Sequence, residues 1–385
     1  MTEPSNPAVV HVAGWAWTLG GLQSALGYHV EHNAARGYRP QVIALFDRTA
    51  PTAHPLRLGA RAWTWVGAAR RRFARLAAAG GPDRVLLYHD GWGLQWWADV
   101  DGAARRMVYL HTEVPHLDDR LRMVAKRADG ILSASHAMID RVRRVVPEFP
   151  KERCFVLPYF VEQPATVERG ERADGASYKI GYAGRIAVQH KRVDRLPELI
   201  AELDRTGLDY TLEVLGEGEA EADLRQRFGG HSRVRFLGRR SGDAYWATLA
   251  TWDCLALVSA YEGFGRVTME GMMVGALPVM PNYSPAAREV LGPLAKWGEY
   301  PTGDMAAAAR CVVGYARMEE ATRAVMREQA RRHFDGHSVD HYRAVYQRAI
   351  ETVRALPATG KAEAPARWGN WLPLGVHTRL FSTRF

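Results

Sequence analysis

The stretch Ser259-Ala-Tyr-Glu262-Gly263-Phe264-Gly265-Arg266-Val267-Thr268-Met269-Glu270 sets two carboxylates on either side of a glycine pair. The pattern predicts a strand before it and a helix opening from it. Gly263 and Gly265 remove side chains where backbone must approach a ligand. The free N–H groups of a first helical turn, with the helix dipole behind them, suit a phosphate. Carboxylates cannot hold a phosphate themselves, so Glu262 and Glu270 call for hydroxyl donors. A ribose or a hexose offers them, and a sugar nucleotide has both kinds of group.

A second element, Tyr182-Ala-Gly184-Arg185 through Lys191-Arg192, follows another strand-like run in the same half of the chain. Two cations at a strand's carboxyl end can neutralise a diphosphate as it leaves, Arg185 as a fork and Lys191 as a point charge. No pair of cysteines has metal-ligand spacing: Cys154, Cys254 and Cys311 are scattered and odd in number, which argues against a zinc site or a disulfide framework and suits a reducing compartment.

These loops need a scaffold, and the hydrophobic pattern describes one. Strands are expected at Ala8–Ala13, Gln41–Phe46, Arg84–Tyr88, Met107–Leu110 and Gly130–Ala134, with helical spacing between several of them. Leu22, Ala25, Leu26, Val30 and Ala34 share one helix face, and Leu121, Val124, Ala125 and Ala128 another. Glu162–Ala176, with Pro164, Gly170 and Gly175 among charges, reads as a linker. Beyond it strands are expected at Tyr178–Ala183, Tyr210–Leu215, Arg233–Leu237, Cys254–Val258 and Leu277–Met280. A helix carries Val193, Leu196, Leu199, Ile200 and Leu203 on one face. Alternating strands and helices imply parallel sheets covered on both faces. The expected fold is α/β, two Rossmann-like domains facing across a cleft, with ligands beyond the carboxyl ends of the strands. The expected boundaries are 1–160 and 177–337, with 338–385 crossing back to the first domain.

At 385 residues, 47% hydrophobic and 24% charged, the chain is long enough for two cores and is not disordered. Its net charge of +9 is uneven. Residues 1–150 hold 19 Lys and Arg against 13 Asp and Glu, residues 151–340 hold 25 against 27, and residues 341–385 hold 7 against 2. The excess at the two ends, densest at Arg70, Arg71, Arg72 and Arg75, suits nucleic acid or an anionic membrane. The acidic balance of the half that holds the site, and the lack of a recognition motif, argue against nucleic acid. No basic-then-apolar leader and no run of about 18 apolar residues is present, so the expected location is the cytoplasm, at the inner face of the cell membrane if the tail docks there.

With these motifs in order, residues 8–350 resemble the retaining glycosyltransferases of family 4, which have the GT-B fold. The E-x7-E pattern is matched by Glu262 and Glu270. Gly184, Arg185 and Lys191 match the family's phosphate-binding residues, with a spacing one residue longer, and Gly20 and Gly21 match its glycine turn. His111, after Met107–Leu110, matches its active-site histidine, and Ala128-Asp129 with Ser135 the motif that follows. The resemblance implies that Arg185 and Lys191 hold the pyrophosphate and Glu270 the ribose. Glu262 would contact the donor sugar, and the amides of Phe264, Gly265, Arg266 and Val267 would meet sugar and phosphate. Gly216 and Gly238 would line the base pocket. It implies retention without an obligatory metal or cofactor, the nucleotide-diphosphate sugar, UDP- or GDP-linked, being a substrate. His111 would orient a hydroxyl or assist proton transfer. The resemblance favours a reaction on one face, with the leaving phosphate taking the acceptor's proton, over a covalent intermediate on Glu262.

For the acceptor, a glycan or a lipid-linked sugar, the candidates are His89, Asp90, Trp92, Glu113 and His116, with Trp15, Trp17, Trp96 and Trp97 nearby. The expected pathway is the synthesis of surface polysaccharide or glycolipid. The tail Arg367-Trp368…Trp371-Leu372-Pro373-Leu374…Leu380-Phe381…Phe385 mixes arginine with large apolar residues and suits an anionic leaflet. Two rival readings are a silent sugar-nucleotide binder and a nucleotide-sugar epimerase on the same fold.

Overall fold

The computed structural model describes residues 7–16, 21–35, 37–47, 56–81, 83–100, 104–114, 116–160, 167, 169–170, 175–357 and 371–376. The chain divides into two compact units, Met1–Pro158 with Tyr342–Phe385, and Tyr159–His341.

The first unit holds a seven-stranded sheet in the order β3-β2-β1-β4-β5-β6-β7. Its strands are β1 (Ala8–Ala13), β2 (Arg39–Ala44), β3 (Leu56–Arg57), β4 (Arg84–His89), β5 (Arg105–Leu110), β6 (Gly130–Ser133) and β7 (Cys154–Val156). The second unit holds six strands in the order β10-β9-β8-β11-β12-β13. They are β8 (Tyr178–Ala183), β9 (Tyr210–Leu215), β10 (Val234–Gly238), β11 (Cys254–Ala256), β12 (Leu277–Pro281) and β13 (Glu299–Tyr300). Every strand pairing in both sheets is parallel. A parallel sheet is covered by helices on both faces, which is why β1 is buried at every position.

The strands expected from sequence appear with shifted ends. β2 begins at Arg39 rather than Gln41, and β11 stops at Ala256 rather than Val258. Two-residue β3 and β13 and three-residue β7 are too short for a periodic signal. In both sheets strand order reverses beside the first strand, between β1 and β4 and between β8 and β11. The loops leaving those strands are where such sheets bind ligands.

Local chemistry starts and stops the helices. Ser135 accepts the Met138 N–H at 3.2 Å and caps His136–Val145, and Asp304 accepts the Ala307 N–H at 2.8 Å and caps Met305–Ala316. Asp129, fully buried, accepts the Arg106 N–H at 2.9 Å and lies 3.6 Å from its guanidinium. The residues matching the family's "AD…S" therefore serve the scaffold. The core of the first unit centres on Trp97, whose ring stacks on Phe73 at 5.0 Å.

The last long helix, Val339–Ala355, buries Tyr342, Val345, Tyr346, Ala349, Ile350 and Val353 at helical spacing. Tyr342 and Tyr346 bond to His29 and Asn33, and Arg105 donates to the Val353 carbonyl at 3.1 Å. Within the expected linker, Val167 packs into a core cluster and Arg169 meets Asp253 at 2.5 Å, so this segment is anchored where it is described. Among the described residues no helix is long and apolar enough to cross a membrane.

Candidate active site

Three strand ends in the second unit close on one another through glycines. Gly184 N–H donates to the Leu215 carbonyl at 3.0 Å, and Gly216 N–H to the Gly238 carbonyl at 2.8 Å. A Cβ on Gly216 would lie 1.9 Å from the Gly184 oxygen, so only glycine fits. Gly238 has φ 66, a left-handed backbone. The two glycines expected at the base pocket thus bring the ends of β8, β9 and β10 together.

Leaving β8, the chain places Gly184 and Arg185 half-buried and returns through His190 and Lys191. The Tyr182 hydroxyl donates to the Arg185 carbonyl at 2.9 Å. The His190 carbonyl accepts the Ala260 N–H at 2.8 Å, which ties this loop to the one leaving β11. Across that tie, Lys191 Nζ meets Glu262 Oε1 at 2.5 Å, and Ser259 Oγ donates to the same oxygen at 2.6 Å. Both contacts fall on Oε1, and among the described residues no hydrogen bond to Oε2 of the buried Glu262 is found.

Gly263 is half-buried, and Gly265, at φ 69, turns the chain into the helix Arg266–Met273. Phe264 is buried, with its ring 5.6 Å from Tyr159 and 6.0 Å from His337. That packing sets the backbone of the turn and the first N–H groups of the helix at Arg266 and Val267. One turn on, Glu270 accepts from the Tyr245 hydroxyl at 2.5 Å and from Arg266 at 3.3 Å. Both carboxylates are therefore fixed in place while keeping acceptor capacity.

Two residues of this site escaped the sequence reading. Tyr245 sits on the helix Gly242–Ala250, and nothing in its surroundings marks it. His190 lies between the two expected cations, its ring 6.0 Å from Tyr261. Burial and then the Lys191 charge push its pKa below the ordinary value, with Glu262 opposing. Adjacency to Lys191 was the available signal.

In the first unit His111, 6% exposed, follows β5. Its N–H donates to Asp90 Oδ1 at 2.6 Å, and Asp90 also takes the Thr112 N–H at 3.1 Å and hydroxyl at 3.2 Å. Asp90 carries φ 54, and its carboxylate is spent on the His111 loop. His89 is fully buried, with Nδ1 2.8 Å from His111 Nε2 and Nε2 3.1 Å from His11 Nδ1. The two expected acceptor contacts His89 and Asp90 are thus interior supports of His111, because each side chain is engaged by neighbouring strand ends. Trp92 packs edge-on to Trp15 at 5.6 Å, and Glu113 pairs with Arg141 at 3.1 Å. His116 is exposed, at φ 61 before the helix Leu117–Ala125. Trp96 and Trp97 are core. Gly21 opens the helix Gly21–Ala35, while Gly20 and Trp17 lie outside the described residues. Asp99, in the Asp99-Val100-Asp101 triplet, is gripped by both Arg70 nitrogens at 2.8 and 2.6 Å.

Residues 166–333 match the family model described as glycosyl transferases group 1, which supports a glycosyltransferase family for this part of the chain. The chain is 28% identical over 251 residues to 2-deoxystreptamine glucosyltransferase of Streptomyces kanamyceticus, covering 55% of this chain and 62% of that protein. It is 31% identical over 202 residues to the GDP-mannose:cellobiosyl-diphosphopolyprenol alpha-mannosyltransferase of Komagataeibacter xylinus, covering 48% of each. The chain thus spans about half to three-fifths of the curated relatives it matches. Among solved structures, Anabaena HepE in complex with UDP-glucose superposes with a TM-score of 0.69 at 16% identity, covering 90% of this chain and 100% of that one. With its two parallel sheets, this likeness gives the chain the GT-B fold.

Proposed function

We propose that the protein is a glycosyltransferase that moves a sugar from a UDP- or GDP-linked donor, with retention, using the Glu262 to Glu270 segment. One observation carries the reading. Glu262 shares Oε1 between Lys191 and Ser259 and has no hydrogen bond to Oε2 among the described residues, which suits a hydroxyl donor at the end of the strand pair where a parallel sheet binds its ligand.

In this reading the first N–H groups of the helix Arg266–Met273 meet the β-phosphate, and Arg185 and Lys191 neutralise the departing diphosphate. They take the part that a divalent metal plays elsewhere. Glu270, held by Tyr245 and Arg266, accepts the ribose hydroxyls. An ammonium and a hydroxyl both hold Glu262 Oε1, which favours an orienting role over attack on the sugar. The leaving phosphate then takes the acceptor's proton on the same face, and the family resemblance alone assigns His111 to the transfer.

A lipid-linked acceptor at the inner membrane face, within surface polysaccharide or glycolipid synthesis, is supported by a surface of the first unit. Residues 62–66 pair with 372–375, Val66 N–H donating to the Leu372 carbonyl at 3.0 Å and Leu374 N–H to the Thr64 carbonyl at 2.8 Å. Trp63 (64% exposed), Trp65 (54%) and Trp371 (78%) lie in or next to these paired segments. The adjoining helix Val66–Ala78 exposes Arg71, Arg72 and Arg75, and no acid occurs from Leu56 to Pro82. Indole faces beside unbalanced arginines suit an anionic leaflet.

Thermal shift with UDP, GDP and ADP, followed by turnover of UDP-glucose and GDP-mannose, tests the main reading. The expected result is stabilisation by UDP or GDP and donor cleavage that Glu262→Ala abolishes. Binding without turnover would favour a silent binder, and conversion of the donor sugar without an acceptor would favour an epimerase. Flotation with phosphatidylglycerol vesicles at low salt tests the surface. Equal recovery with phosphatidylcholine vesicles, or none with either, would remove the membrane.

A further inference from the structure

His190 stands inside the cluster of charges from which the candidate site is built. The loop leaving β8 starts at Arg185 and returns through His190 to Lys191, and all three are half-buried. The His190 carbonyl accepts the Ala260 N–H at 2.8 Å, and its ring lies 6.0 Å from that of Tyr261, tilted by 33°. Tyr261 directly precedes Glu262, whose Oε1 meets Lys191 Nζ at 2.5 Å. The imidazole therefore feels an ammonium, a guanidinium and a carboxylate on two loops that are tied to each other. Glu219, exposed beyond β9, is a further acid that acts on it.

Burial, Lys191 and Arg185 all resist a second proton on this ring, while Glu262 and Glu219 favour one. Their sum holds the imidazole below its ordinary value, so in the protein alone it is neutral at physiological pH. Two of the three opposing effects come from the same cations that are assigned to the diphosphate. A charge on the ring responds to all the charges around it, so an anion that satisfies both cations cancels their opposition. A sugar nucleotide brings one negative charge on each phosphate. Burial alone then opposes the imidazolium, and the donor's charges join Glu262 and Glu219 in favouring it.

We propose that His190 takes up a proton from solvent when the sugar nucleotide binds, and so becomes a third positive charge beside the diphosphate, after Arg185 and Lys191. This role rests on the assignment of the donor to the Glu262 to Glu270 segment. It makes donor affinity depend on pH: binding draws a proton in, so affinity weakens as pH rises, by at most about tenfold per unit. It also bears on the transfer. As the sugar–phosphate bond breaks, negative charge grows on the leaving oxygen, which then takes the acceptor's proton. An imidazolium at His190 stabilises that charge. Because the ring is neutral until the donor arrives, it does not repel Arg185 and Lys191 beforehand.

Titration calorimetry of the full chain with UDP-glucose and GDP-mannose at pH 7.5, in HEPES and again in Tris, counts the protons exchanged. The two buffers differ widely in heat of ionisation, and neither donor has a phosphate proton to lose near neutral pH. The expected result is an uptake of about 0.3–1 proton per donor bound, with affinity weakening from pH 6.5 to 8.5. In His190→Gln the uptake should vanish and the pH dependence should flatten. The hydrogen bond that ties the two loops belongs to the His190 main chain, so the substitution keeps it. His190→Asn is the second variant if the first does not fold, and the wild-type uptake decides alone if neither does. Binding without proton uptake in the wild type, or equal uptake in a folded variant, overturns the proposal and leaves the donor assignment standing. No binding of either donor removes the donor assignment, and the role of His190 with it.

Discussion

Lys191 Nζ lies 2.5 Å from Glu262 Oε1, so the cation assigned to the phosphate and the carboxylate assigned to the sugar are partners of each other. Both side chains are mostly buried, at 16% and 11% exposed. The pair spans the loops leaving β8 and β11, and in the proposed reading an entering diphosphate would share Lys191 with Glu262. Replacing Lys191 with Met should weaken UDP or GDP binding about ten- to a hundredfold, the range for a charge-assisted bond. Replacing Glu262 with Gln should leave nucleotide binding within about threefold while cutting transfer about a hundredfold or more. Calorimetry and initial rates separate the two. Equal losses of binding and turnover in both variants would refute separate roles.

Tyr245 holds Glu270 through a 2.5 Å hydrogen bond. Tyr245→Phe keeps the ring and removes the bond, which should cost about 0.5–1.5 kcal/mol of nucleotide affinity, or roughly two- to twelvefold. Turnover at saturating donor should stay close to wild type. Unchanged affinity by calorimetry would show that Glu270 does not depend on Tyr245.

Gly216 has φ 141, and a Cβ there would collide with the Gly184 carbonyl. Gly216→Ala should destabilise the fold by about 2–4 kcal/mol, adding backbone strain to overpacking. Urea unfolding measures this. A loss within about 0.5 kcal/mol would mean that the strand ends separate without cost.

The buried histidines predict a stability profile. His11 has its folded pKa lowered to about 3 from 6.5, and burial lowers His89 in the same direction. Below pH 6.5 the unfolded chain binds protons that the folded chain refuses. Each histidine's contribution is thus whole above pH 6.5 and falls as pH drops toward the folded pKa, by about 1.4 kcal/mol per unit. Urea unfolding at pH 7.5, 6 and 5 should show this slope, and His11→Asn should reduce it. Identical slopes in the two proteins would refute the assignment.

His111 gives the first unit its own test. His111→Ala should lower transfer about a hundredfold if the ring assists at the donor sugar. A wild-type rate, measured with the donor that gives the largest thermal shift, would remove it from the reaction.

The periodicity of apolar residues is a local property, and it made most of the strands and the helices Gly21–Ala35, Leu117–Ala125 and Leu196–Asp204 legible. Runs such as Ala8–Ala13 and Tyr178–Ala183 are buried on both faces and bounded by turns, so sequence alone located them to the residue. The glycine-flanked glutamates and the Arg185/Lys191 pair were legible for a similar reason: unusual residue types stand at the carboxyl ends of strands. The short β3, β7 and β13 were not, because two or three residues carry no period.

Partners distant in sequence were decided only when the chain folded. Lys191 and Glu262 lie 71 positions apart, Asn33 and Tyr346 lie 313 apart, and the parallel sheets bring each pair within bonding distance. His89 and Asp90 read as acceptor candidates beside tryptophans, and the strand ends of β4 and β5 hold them inward against His111. Sequence determined which groups are present and which strand each follows. Which lone pair of a carboxylate remains open, and which nitrogen of a histidine holds the proton, depend on neighbours that only tertiary packing supplies.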